Sequence, residues 1–256
     1  KNYAGVGGAI ASKGTLTISG TTEISYNDSS STGEGGGAIW IYSGTTTISG
    51  GSITNNTAVN GAGVQLQNTG TLVLSGGTIQ NNTATSTGGG VNYTAGTLNV
   101  SGNPVVKNNT EGTTPVASDI NEGSNRLNVV DQMTGTQGDI GVRDDHTSTI
   151  ALQQFAVNTV ESAGQPVAIT KPDVFINNVD NKFLGMNPTS DLATLVWGAQ
   201  TEVTLDRNGG TTPAADEKVK ATNGAAMPST TTEGQPITKP EKTGYKFKGF
   251  YDMTVP

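Results

Sequence analysis

The stretch GGAIWIYSGTTTISGGSITNNTA, residues 36–58, returns as GAGVQLQNTGTLVLSGGTIQNNTA at 61–84 and as GGGVNYTAGTLNVSGNPVVKNNT at 88–110. A shorter relative, GGAIASKGTLTISG, precedes them at 7–20. The Asn-Asn pairs stand at Asn55-Asn56, Asn81-Asn82 and Asn108-Asn109, so the period is 26 and then 27 residues. Tyr26-Asn27-Asp28 reads as a degenerate earlier copy. Self-similarity at this period marks a stacked repeat architecture, and it decides the fold before any local propensity is weighed.

Each unit contains three short stretches with period-2 character. The first is Ile39-Trp40-Ile41-Tyr42, matched by Val64-Gln65-Leu66-Gln67 and Val91-Asn92-Tyr93-Thr94. The second is Leu16-Thr17-Ile18, then Thr46-Thr47-Ile48, Leu72-Val73-Leu74 and Leu98-Asn99-Val100. The third carries one apolar anchor: Ile24, Ile53, Ile79 or Val106. Alternation over three to five residues, punctuated by Gly and Asn, predicts short strands, and no helical stripe competes with it. Such strands bury nothing alone. Coiled so that each pairs in parallel with its counterpart about 4.8 Å above, they stack their apolar side chains into interior ladders. The expected fold is therefore all-β: a right-handed parallel β-helix over residues 1–200, with irregular capping coils from about residue 119. In those coils Ile120, Leu127, Val129, Ile140 and Val142 continue the interior column. Phe155, Phe175, Phe183 and Trp197 are large enough to close its end.

Composition fits a solenoid. Gly accounts for 36 of 256 residues, hydrophobic residues for only 32% and charged residues for 14%. That is too little apolar material for a thick core and too little charge for a disordered chain. A net charge of −7 without a basic stripe argues against nucleic acid and against anionic membrane surfaces. No run of roughly 18 apolar residues predicts a membrane span. Cys is absent, which is compatible with a surface protein that does without disulfides. Lys1 stands inside a repeat, and the expectation is an excised, monomeric segment of a longer chain.

Asn tolerates left-handed turns and can hydrogen-bond along a stack, so Asn55, Asn56, Asn81, Asn82, Asn108 and Asn109 are expected to form a structural ladder. The Asn-Asn-Thr triplets also match the N-glycosylation sequon, but the ladder accounts for their spacing and the sequon does not. If Ile39 and Ile41 point inward, Trp40 and Tyr42 point outward beside Gln65 and Gln67, and then Asn92 and Thr94. Aromatics next to amides suit stacking on sugar rings, which makes Trp40, Tyr42, Gln65, Gln67 and Asn92 the candidate ligand face. The alternative is two scattered surface aromatics. A second outward column, Thr15, Thr17, Thr45, Thr47, Thr71 and Thr97, resembles the flat arrays of ice-binding solenoids. Its Thr-x-Thr pairing decays to Val73 and Asn99, and Thr suits any exposed strand.

Catalysis on such a scaffold needs clustered carboxylates on one face. From Gly36 to Thr110 there is no acidic residue, and Lys107 is the only basic one. The densest ionisable cluster is Arg143-Asp144-Asp145-His146, readable as an acid/base group or as a charged loop after a strand. No metal-ligand spacing, P-loop or nucleophile motif occurs, so neither a metal nor a cofactor is expected.

Composition shifts near Gln200. The segment VTLDRNGG, residues 203–210, opens with a strand and a tight Asn-Gly-Gly turn; KPEKTGYKFKGFYD, residues 239–252, ends in aromatic alternation. Together they resemble the Listeria–Bacteroides repeat, the B-type repeat of internalin-like surface proteins. The resemblance covers about residues 202–252. Leu205 and Phe250 stand where that family carries other aromatics, and its last strand is missing, as in a truncated copy. The resemblance implies a small β-grasp-like stalk module at 201–256 in a cell-wall protein. The preceding coils resemble the pectate-lyase-type β-helices of large surface adhesins, a likeness of fold only. The functional expectation is a non-enzymatic adhesin or stalk segment on the outside of a bacterial cell, presenting a face to a glycan or a host matrix protein. The alternatives are a polysaccharide-degrading enzyme and a purely structural scaffold.

Overall fold

A computed structural model describes residues 2–122, 125, 127–143, 154–158, 161–162, 165–166, 174–178, 183–186, 194–198, 200–207, 209–211, 213, 215–222 and 236–243. These residues form an all-β structure whose main body is a parallel β-solenoid of about five turns.

Four stacks of strands, rather than three, run along the solenoid. The first contains Ile10–Ser12, Ile39–Ile41, Val64–Leu66, Val91–Tyr93 and Ile120–Asn121, paired in parallel. Its inward column is Ile39, Val64, Val91 and Ile120, each with no exposed surface. The second and third stretches of the repeat merge into ten-residue strands, Thr45–Thr54 and Thr71–Gln80, which bend at the Gly-Gly pair with register shifts around Gly76. Glycine is needed there: a Cβ on Gly76 would lie 2.6 Å from the Ser49 carbonyl oxygen of the coil below. Leu72, Leu74, Leu98, Val100, Leu127 and Val129 fill the second stack's interior, and Ile53, Ile79, Val106 and Ile140 fill the third's.

The fourth stack has no large apolar residue on its inward face to announce it. It consists of Tyr3–Ala4, Asp28–Ser29, Thr57–Asn60, Thr83–Thr87 and Thr110–Glu111, paired in parallel. Its inward residues are small up to Ala84, with Ala58 and Ala84 packing in a minor cluster with Ala62, and the buried Glu111 follows Ala84 in register. Alternation of Ala with Thr or Ser is invisible to a search for hydrophobic periodicity, because nothing in it contrasts strongly in size or polarity.

The interior column continues through Ile120, Leu127, Val129, Ile140 and Val142, all fully buried. Parallel pairing then reaches Phe175–Asn177, with Ile140 opposite Phe175, whose side chain is fully buried in the core cluster. Beyond this the strands reverse. Phe183–Met186 pairs antiparallel with Phe175–Asn177 and with Thr194–Gly198, which also pairs antiparallel with Gln154–Asn158. Antiparallel strands end the stack by covering edges that another coil would otherwise extend.

Gln200–Leu205 and Glu217–Thr222 form an antiparallel hairpin in unbroken register, with Leu205 and Val219 buried. Gly209 follows Leu205 at φ +75°, as the expected turn requires. The aromatic segment Tyr245–Tyr251 lies outside the described residues. Among the described residues no helix is long and apolar enough to cross a membrane.

Candidate functional site

Two polar constructions stand out in the solenoid: an internal asparagine ladder and the outer face of the first stack. The ladder divides each Asn-Asn pair between two jobs. Asn55, Asn81 and Asn108 take φ of 56°, 55° and 60°, the left-handed region that turns the chain from the third stack to the fourth. They are exposed. Asn56, Asn82 and Asn109 are fully buried and carry the hydrogen bonds. Asn82 Nδ2 donates to Asn109 Oδ1 at 2.9 Å, to the Ile53 carbonyl at 3.0 Å and to the Gln80 carbonyl at 3.1 Å. Its own Oδ1 accepts from Asn56 N and Asn56 Nδ2, both at 2.9 Å. Asn56 and Asn109 repeat the pattern, and Asn27 bonds upward to Asn56, so that Tyr26 corresponds to Asn55. Asn2 N reaches Asn27 Oδ1 at 3.4 Å, so the Asn2-Tyr3-Ala4 triplet is a further rung. Its match to Asn56-Thr57-Ala58 was the available signal.

The ladder runs on through Asp119 to Asn178, whose Oδ1 accepts from Asp119 N at 2.9 Å. Asp119 Oδ1 accepts from Asn109 N at 2.8 Å and Asn109 Nδ2 at 2.9 Å, and its Oδ2 accepts from Asn178 Nδ2 at 3.0 Å. Both carboxyl oxygens accept, one from the coil on each side. Burial raises the Asp119 carboxyl above its ordinary value of 3.8, against the lowering by those donors and by Lys107.

The outer column of the first stack runs Ala11, Trp40, Gln65, Asn92, Asn121. Strand alternation puts these side chains on the side away from the core, yet the expectation of an exposed aromatic face needs correcting. Trp40 is only 5% exposed, Gln65 0% and Asn92 5%. The backbone corner four residues upstream lies over them. Gly61 and Gly88 sit there at φ +61° and +69°, and a Cβ would stand 2.7 Å from Gln65 Oε1 in one case and 2.4 Å from Asn92 Cβ in the other. Asn92 Nδ2 donates to Gln65 Oε1 at 2.9 Å, and Gln65 Nε2 donates to Thr94 Oγ1 at 3.3 Å. Trp40 Nε1 donates to Gln67 Oε1 at 2.8 Å, and Gln67 Nε2 donates to the Gly33 carbonyl at 2.9 Å. Asn60 Nδ2 holds the same loop through the Thr32 carbonyl at 2.7 Å. Tyr42 packs against the indole with ring centroids 5.1 Å apart, and Lys13 Nζ lies 5.7 Å from the Trp40 ring centroid and 5.1 Å from that of Tyr42. Tyr42 and Gln67 retain partial exposure, and Trp40 serves as packing beneath them.

Arg143 joins a second polar knot. Its Nε lies 3.0 Å from Glu111 Oε1, while Glu111 Oε2 accepts from Gly88 N and Ser118 Oγ, both at 2.7 Å. A carboxylate so engaged is a clasp between coils. Asp144, Asp145 and His146 lie outside the described residues. Among the described residues no group of three or more His, Asp or Glu side chains is placed to hold a metal ion. Compared with protein families, with curated proteins and with solved structures, the chain has no match, and its own residues carry the reading that follows.

Proposed function

We propose that the chain is a non-enzymatic binding or stalk segment of a bacterial surface protein, its solenoid presenting a rigid face to an extracellular glycan or matrix protein. The observation that supports this most is the fate of Glu111 and Asp119, two of the four carboxylates buried among the described residues, the others being Glu122 and Asp139. Glu111 and Asp119 are both tied into bonds that hold coil to coil, and the regular coils present Thr, Ser, Asn and Gln outward in register. A fixed, flat, uncharged array can complement a surface at low entropic cost, because its side chains are already ordered. We read the antiparallel hairpin at 200–222 as the opening of a Listeria–Bacteroides-type repeat, and residues 201–256 as a β-grasp-like spacer in an extracellular, cell-wall-associated setting.

The contact between Arg143 and Glu111 is the feature a polysaccharide-degrading reading would use, but both groups are engaged in the clasp. The test is binding of the purified chain to panels of immobilised glycans and matrix proteins, with turnover of soluble polysaccharides measured in parallel. Binding without turnover is the expected result. Chain cleavage of a polysaccharide, abolished by Glu111→Gln with the fold intact, would overturn it.

A further inference from the structure

At the corner between the third and fourth stacks three coils place Asn55, Asn81 and Asn108 in the left-handed region, where Asn is tolerated. Tyr26 occupies the same place at φ +57°. The ring stabilises neither that backbone nor a core, since 61% of Tyr26 is exposed. A strained residue with its side chain in solvent points to a role for that side chain outside the fold. Just past the corner a second tyrosine, Tyr3, stands in register with Asp28 and is 70% exposed. The outer face of the fourth stack forms a shallow groove there of about 320 Å³, lined by Tyr3, Asp28, Ser30, Thr57, Val59 and Thr85.

We propose that this groove binds a neutral pyranose residue of a glycan, with Tyr3 at the groove and Tyr26 on the corner beside it. The inference rests on the surface-binding reading above and gives it a place and a ligand class. A pyranose ring shows a face of polarised C–H groups, which the negative face of a tyrosine ring attracts. Its hydroxyls suit the remaining lining: the Asp28 carboxylate accepts charge-assisted bonds, and the Ser30, Thr57 and Thr85 hydroxyls both donate and accept. Among the described residues Asp28 is the one charged group in the lining, and with a net charge of −7 it disfavours acidic sugars. The volume accommodates a sugar ring but not a folded partner. A basic peptide could also meet Asp28 and the tyrosines; three hydroxyls against a single charge favour the sugar.

The experiment titrates the protein with pentamers of β-1,4-glucose, β-1,4-N-acetylglucosamine and α-mannose, and with pentalysine. Wild type, Tyr3→Ala, Tyr26→Asn and Asp28→Asn are compared. Tyr26→Asn restores the residue used by the other coils, so it is expected to raise Tm by about 2–5 °C while weakening sugar binding about tenfold. Tyr3→Ala and Asp28→Asn are expected to weaken binding similarly, Tyr3→Ala with Tm nearly unchanged. A pentamer that binds equally to all four proteins overturns the site and leaves the surface-binding reading standing. Binding of pentalysine alone, or of no pentamer, overturns the ligand class, and the matrix-protein panel then decides the broader reading. A Tyr26→Asn variant less stable than wild type would show that the fold needs the ring, and would overturn the argument.

Discussion

Replacing Asn82 by Ala removes the middle rung of the asparagine ladder. Asn82 donates to Asn109 Oδ1 and to the Ile53 and Gln80 carbonyls, and accepts from Asn56 N and Nδ2. Asn56, Asn82 and Asn109 have no exposed surface, so water does not replace the lost amide without rearrangement. Asn56 N and the Ile53 carbonyl each lose a buried partner, at about 1–3 kcal/mol apiece, which puts the loss near 3–5 kcal/mol. Asn81→Ala, one residue away, touches no ladder bond. It replaces an exposed left-handed Asn with a residue that resists that conformation, at about 1 kcal/mol. Asn82→Asp keeps the accepted bonds but turns a buried carboxylate toward the Asn109 Oδ1, Ile53 and Gln80 oxygens, and should cost at least as much as Asn82→Ala. Urea unfolding followed by circular dichroism orders the three variants. Because solenoid stability is carried by neighbour interfaces, hydrogen exchange should show the Asn82→Ala loss in the coils on both sides. If Asn82→Ala costs no more than Asn81→Ala, the claim that the second Asn of each pair holds the coils together is wrong.

Thr46 stands between Leu16 and Leu72 in the second stack, fully buried, with no partner for its hydroxyl. Thr46→Val should therefore stabilise by about 1 kcal/mol, read as a higher urea midpoint. Asp119→Asn turns an amide hydrogen toward a donor on one side or the other and should cost about 1–3 kcal/mol. Because burial raises the Asp119 carboxyl in the folded state, its contribution to stability is full below 3.8 and is lost as pH rises through the raised value. The wild-type advantage over Asp119→Asn should accordingly be larger at about pH 3.5 than at about pH 7; an advantage that grows with pH would refute the assignment. Trp40→Ala should lower stability by about 3–4 kcal/mol in thermal unfolding, because a 5% exposed indole and its bond to Gln67 disappear. Tyr42→Ala, on the half-exposed partner, should cost under about 1 kcal/mol.

The repeat was legible because it is a one-dimensional signal. The period of 26 and 27 residues, the apolar anchors from Ile24 to Val106 and the corner glycines each repeat along the chain. Any structure that buries all of those anchors must bring them into columns, so composition and spacing determined the stacked coils and the inward faces of three stacks. The ladder was legible as a column of Asn-Asn pairs. Tertiary structure alone divided the labour within each pair, since the left-handed corner turns one amide to solvent and its neighbour inward. It also revealed the fourth stack, whose Ala58 and Ala84 face inward without contrasting with their neighbours. And it covered the face that alternation had assigned to ligands. Outward in a strand means away from the core; Trp40, Gln65 and Asn92 obey that rule and are nonetheless sealed by a backbone corner and by the loop that Gln67 and Asn60 hold in place. Alternation reports which side of its own strand a residue occupies. Whether another piece of chain crosses that side depends on the path of the coil, and no local pattern encodes it.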